Sequence, residues 1–144
     1  MRYEKLRKKY RHLPALRELK KNFGIEGSGE EDVIKGISRK LKGIGNYLES
    51  LLLGETYKTF VERSFLSKKQ KEEASRIYRE IQVILTQEFI LKLENSEKAK
   101  AEWIKSADEF WKRNKDTVLR ILKTIVEGWK RRRAKVEKQT SYHG

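Results

Sequence analysis

The chain has 144 residues, 39% of them charged and 37% hydrophobic, with a formal net charge of +14 and no cysteine. This length fits one domain with an appendage, and its thin apolar content needs helical packing or neighbouring chains to complete a core. Disulfide and thiol chemistry are excluded, and no apolar run approaches the roughly 20 residues of a membrane helix or follows the basic N-terminus as a signal peptide would.

Residues 2–21, RYEKLRKKYRHLPALRELKK, carry nine Lys/Arg and two Glu. Tyr3, Leu6, Tyr10, Leu13, Leu16 and Leu19 recur at helical spacing, and Pro14 divides the series. Proline disfavours the helical conformation in the residue before it and is favoured at the first helical position. The pattern predicts short helices over residues 1–12 and 14–22 with a joint at Leu13. Each apolar stripe is narrow, enough to rest on a surface but not to make a core. Residues 23–30, FGIEGSGE, hold three glycines and read as a flexible hinge.

Ser28 and Glu31 fit a capping box that opens a helix reaching Leu53. Its apolar residues Ile34, Ile37, Leu41, Ile44, Leu48 and Leu51 step by 3, 4, 3, 4, 3, a heptad seam, and Gly54 is placed to end it. Tyr57, Phe60, Val61 and Phe65 suit a short helix. Ser67 and Gln70 form a second capping box. The helix they open runs to about Asn95, on the order of 40 Å, with Ala74, Ile77, Tyr78, Ile81, Ile84, Leu85, Phe89 and Leu93 expected inside. Asn95 and Ser96 cap the last segment, whose expected buried stripe is Trp103, Ala107, Phe110, Trp111, Val118, Ile121, Leu122, Ile125 and Trp129. Residues 114–117, NKDT, predict a break or kink. No strand pattern is present. The expected fold is all-α: a basic arm and hinge (1–28), an antiparallel bundle of about four helices (29–138) and a polar tail (139–144).

The chemistry-bearing residues are sparse. His12 and His143 have no companions at metal-ligand spacing, so no metal is expected. The carboxylates sit three or four residues from Lys or Arg, as on solvated helix faces. The glycine-rich GIEGSGE is acidic and lacks the lysine of a phosphate loop. Neither catalysis nor a cofactor is expected.

Charge distribution is the informative signal. Residues 1–22 hold nine basic and two acidic side chains, and residues 128–144 hold six and one. The 105 residues between them hold twenty and eighteen. Two basic ends around a near-neutral body suggest two phosphate-binding elements on a scaffold. Within the 29–53 helix, Gly36 and Gly43 lie seven apart beside Lys35, Arg39, Lys40 and Lys42. Glycine inside a helix costs roughly 1 kcal/mol against alanine, so the pair points to close approach by another helix or by a phosphate backbone. The three tryptophans read as core, while Tyr3 and Tyr10 are open to stacking on bases. No base-reading motif is present, so contacts to phosphate and shape are expected.

A basic helical arm with a proline joint, a glycine hinge and an all-α bundle ending in a long helix resembles the major coat proteins of filamentous and rod-shaped viruses of archaea. RYEKLRKKYRHLPALRELKK stands where that family's DNA-wrapping arm would be, and residues 29–138 stand where its bundle would be. The resemblance is one of architecture, size and charge. It implies a non-catalytic coat protein of a helical virion, assembled in the host cytoplasm, that pairs with itself and a paralogous subunit. The arms would surround double-stranded DNA held in an A-like form. Arg2, Lys5, Arg7, Lys8, Lys9, Arg11, Arg17, Lys20 and Lys21 would face phosphates. Lys130, Arg131, Arg132 and Arg133 would face DNA, an envelope or a neighbouring subunit. A helical small subunit of an RNA-guided defence complex, or another non-catalytic nucleic-acid-binding module, is the alternative.

Overall fold

In the computed structural model the chain folds into six helices: α1 (Tyr3–Lys9), α2 (Leu16–Phe23), α3 (Glu30–Leu53), α4 (Tyr57–Ser64), α5 (Lys68–Glu94) and α6 (Glu97–His143). The structure describes the backbone of residues 1–143 and the side chains of residues 1–132. The side chains of Arg133 and of the predicted 139–144 tail fall outside that range, while the α6 backbone continues through residues 139–143, where a separate tail was expected. Among the described residues the only β feature is an isolated antiparallel bridge between Arg2 and Gly29. The expected all-α class is what the backbone shows.

Three long helices, α3, α5 and α6, carry the core, where an antiparallel bundle of about four was expected. In α3, Ile34, Ile37, Leu41, Leu48 and Leu51 are buried and Ile44 is half-buried. Val33, Gly36, Ser38 and Gly45 are buried too, so the seam widens into a stripe that meets several neighbours. The helix starts one residue later than the Ser28 box predicts. Gly29 is the N-cap, and its N–H donates to Asp32 Oδ2 at 3.0 Å. Ser28 is engaged elsewhere, its carbonyl accepting from the Tyr3 N–H at 3.0 Å. At the other end of α3, the Arg63 guanidinium donates to the Leu51 and Gly54 carbonyls, satisfying groups that a helix C-terminus leaves unpaired.

The Ser67–Gln70 box forms as expected, with reciprocal backbone bonds of 3.1 Å. The buried positions of α5 are Ala74, Ile77, Ile81, Ile84, Glu88 and Leu91. Phe89 and Leu93, expected inside, are exposed. The buried positions step by 3, 4, 3, 4, 3 and admit a carboxylate at Glu88, which accepts from Ser38 Oγ at 2.5 Å and pairs with Lys92 at 3.5 Å.

The break expected at residues 114–117 is absent, and α6 runs through them. Asn114 is buried and fully used: its Nδ2 donates to the Phe110 carbonyl at 2.9 Å, and Arg76 donates to its Oδ1 at 3.1 Å. Leu122, expected to be buried, is partly exposed. Lys100 pairs with Glu30 near the start of both helices, Lys40 lies over Trp111, and Tyr47 and Leu48 share a cleft with Ile121 and Leu122, so α3 and α6 run parallel. The α5 helix runs against both. The Trp103 indole donates to the Ile84 carbonyl at 2.8 Å, and Gln70 donates to Thr124 at 2.8 Å.

The N-terminal residues share this core. Tyr3, Leu6, Leu13, Leu19, Phe23 and Ile25 are buried in the same cluster as α3, α5 and α6. The segment expected to hinge is tied down instead: Tyr3 N–H bonds Ser28, and Glu30 N–H donates to the Met1 carbonyl at 3.0 Å. Ile25 packs over Gly36, where an added Cβ would lie 2.6 Å from Ile25 Cγ1. The joint also differs from expectation. The α1 helix ends at Lys9, and Pro14 precedes α2 by two residues. Tyr3 Oη donates to the Pro14 carbonyl at 2.5 Å and Arg7 Nε donates to the Leu13 carbonyl at 3.2 Å, so the turn's carbonyls are capped by α1 side chains.

Candidate nucleic-acid interface

Burying the apolar side of α1 and α2 turns their basic side outwards. Arg2, Lys5, Lys8, Arg11, Arg17, Lys20 and Lys21 are exposed, and none makes an intrachain ion pair among the described residues. Two expected contacts are engaged within the chain. Lys9 pairs with Glu97 at 3.0 Å, and that bond raises its pKa. Arg7 lies 3.8 Å from Glu4 and also holds the Leu13 carbonyl. Arg7, Lys8 and Arg11 line a shallow basin of about 560 Å³ with Glu4.

In α3, Lys35, Arg39 and Lys42 step by 4 and 3 along one exposed face. Lys40 points elsewhere. Its ammonium lies 4.5 Å from the Trp111 ring centroid and 5.7 Å from that of Phe23, and it donates to the Asn22 carbonyl. Burial, and secondarily the charge of Lys115, push its pKa down. It is an anchor for the end of α2 rather than a phosphate contact. Lys115 is exposed and falls one turn after Trp111 on the same side of α6.

The two α3 glycines spaced seven apart, Gly36 and Gly43, have unlike neighbours. Gly36 admits Ile25 of the returning loop, not a helix. Nothing lies within 4 Å of a Cβ at Gly43, which borders an apolar cleft of about 170 Å³ with Ile44, Tyr47, Leu48, Val118, Ile121 and Leu122. The close helix–helix approach is at Gly45, whose Cβ would meet Ile81 at 3.1 Å. Tyr3 is buried and bonded, so it cannot stack on bases; Tyr10 is half-buried, edge-on to His12.

At the other end, Lys130, Arg131 and Arg132 are exposed. Lys130 lies 3.4 Å from Glu127, and Arg132 donates to Tyr57 Oη at 2.6 Å. Lys115, beside α2, and Lys130 are 15 residues apart on one helix, about 22 Å. From Glu97, beside α1, to Arg132 the distance is about 50 Å. The two basic ends are therefore separate patches along α6, not two jaws closing on one point.

No family model, curated protein or solved structure matches this chain. Among the described residues, no group of three or more His, Cys, Asp or Glu is placed to hold a metal ion, and no helix is long and apolar enough to cross a membrane.

Proposed function

We propose that this chain is a non-catalytic coat protein that binds double-stranded DNA through sequence-independent phosphate contacts and polymerises along it into a helical filament. The observation that carries the reading is the set of seven exposed cations on α1, α2 and their flanks, which have no carboxylate partner among the described residues. They are held by helices whose other side is core, so little ordering entropy is lost when a duplex binds. The Lys35–Arg39–Lys42 face and the patch at Lys130–Arg132 extend the contact along the duplex or to a neighbouring subunit. In this reading the N-terminal segment is a preformed basic surface, and the virion of the resembled family, with a paralogous partner, is its setting.

The test is electron microscopy of the purified protein mixed with long double-stranded DNA. Regular filaments are expected. Tighter binding to RNA with no ordered assembly on DNA would replace the coat reading with that of an RNA-binding module.

A further inference from the structure

In a chain that is 39% charged, the longest uncharged run is residues 81–87, IQVILTQ, in the middle of α5. Ile81, Ile84 and Leu85 of that run serve the core. Val83 and Thr86 belong to an outward line, Arg79, Val83, Thr86, Ile90 and Leu93, spaced 4, 3, 4, 3. Val83 is 56% exposed, Ile90 46%, Leu93 86% and the flanking Phe89 67%. Val83, Gln87 and Ile90 also rim two adjoining grooves between α5 and α6, about 280 and 220 Å³. An apolar helix face of this length on so polar a chain marks a contact surface.

We propose that this face pairs with the same face of a second copy, the two α5 helices lying antiparallel about a twofold axis between Thr86 and Gln87. Antiparallel pairing about that point sets Val83 against the second copy's Ile90, and Ile90 against its Val83. It also sets Arg79 against the second copy's Glu94, twice over. Arg79 and Glu94 are exposed and unpaired among the described residues. A twofold contact must be complementary to itself. One cation and one carboxylate at equal distances from an uncharged centre meet that condition, whereas they favour neither an acidic nor a basic foreign partner. Charge points the same way. Copies carrying +14 each repel, so they approach best through a line whose flanking charges, Arg79 and Glu94, cancel. As an assembly contact the pair rests on the coat reading; as a dimer contact it does not.

The test is sedimentation velocity without nucleic acid, across a wide range of protein concentration. The wild type is expected to dimerise reversibly. Ile90→Glu should be monomeric with unchanged helicity and melting temperature. Arg79→Glu and Glu94→Arg should each weaken the dimer about tenfold, since two attractive pairs become repulsive. Mixing these two variants should restore it, because each then meets its complement. A wild type that stays monomeric, an Ile90→Glu variant that dimerises normally, or a mixture that recovers nothing would overturn the proposal. Affinity of Ile90→Glu for a short duplex is read separately by fluorescence anisotropy. A lost dimer with intact duplex binding separates this contact from the DNA reading.

Discussion

Neutralising Lys5, Lys8, Lys20 and Lys21 gives the sharpest test of the basic surface. All four are exposed and lack ion-pair partners among the described residues, so replacement with glutamine leaves the core untouched. Seven such cations on α1, α2 and their flanks predict a slope of log K against log salt of about −6, at about 0.9 per phosphate neutralised on a duplex. Raising salt from about 50 to 200 mM should then weaken binding roughly 10³- to 10⁴-fold. In the fourfold variant the slope should shrink to about −3. Fluorescence anisotropy on a duplex too short to support assembly measures the slope directly. A scrambled duplex should give the same value. An unchanged slope in the variant would refute the assignment of these residues to phosphates. So would a larger change on replacing Lys130 and Arg131.

Two further predictions concern the scaffold. Gly43→Ala should stabilise the protein by about 1 kcal/mol through helix propensity, because the added Cβ meets open space. Gly36→Leu should destabilise it by roughly 2 kcal/mol or more by overpacking against Ile25; urea unfolding of both variants checks the contrast. The Tyr47 hydroxyl, half-buried and 3.4 Å from Glu62 Oε1, has its pKa pushed up to about 12 by burial and then by that carboxylate. The native state favours the protonated phenol, so this contribution to stability is complete below the unfolded value of about 10 and is lost as pH rises through about 12. Tyr47→Phe should flatten the alkaline decline, with Tyr3, shifted in the same direction by burial, supplying the remainder. An identical pH profile would contradict the assignment.

Spacing made some elements legible and left others hidden. The seam of α3 and the Ser67–Gln70 cap follow from local periodicity and local hydrogen bonding, and both formed where the pattern put them. Glu88 and Asn114 could not be found that way. Each is buried in its seam because a distant group satisfies it. Those groups, Ser38 and Arg76, lie 50 and 38 residues away in the chain. Phe89 and Leu93 failed in the opposite sense, because apolar character drew them inside while the period of the seam left them out. The glycines at 24 and 27 suggested flexibility, yet they hold φ of +62° and +95°, conformations glycine adopts without steric cost. The overlooked signal was Phe23 and Ile25, two large apolar residues in a stretch read as a hinge. The charge asymmetry was plain from composition, but its division into patches some 22 Å apart or more needed the course of α6.

The docking of the N-terminal segment changes how its function can be probed. Deleting residues 1–22 removes Tyr3, Leu6, Leu13 and Leu19, each no more than 2% exposed. At about 1.5–3 kcal/mol for each large buried side chain, the loss is roughly 6–12 kcal/mol. The whole stability of a domain is about 5–15 kcal/mol. The truncated chain should therefore lose its cooperative melt, and loss of DNA binding on truncation would report unfolding rather than missing charge. Circular dichroism and thermal unfolding of the 23–144 fragment decide the matter. If it melts cooperatively near the full-length temperature, the segment contributes little to the core and can leave it to wrap a duplex as a mobile arm. If it does not, the cations of α1 and α2 act from a fixed surface, and DNA must come to that surface rather than be encircled by it.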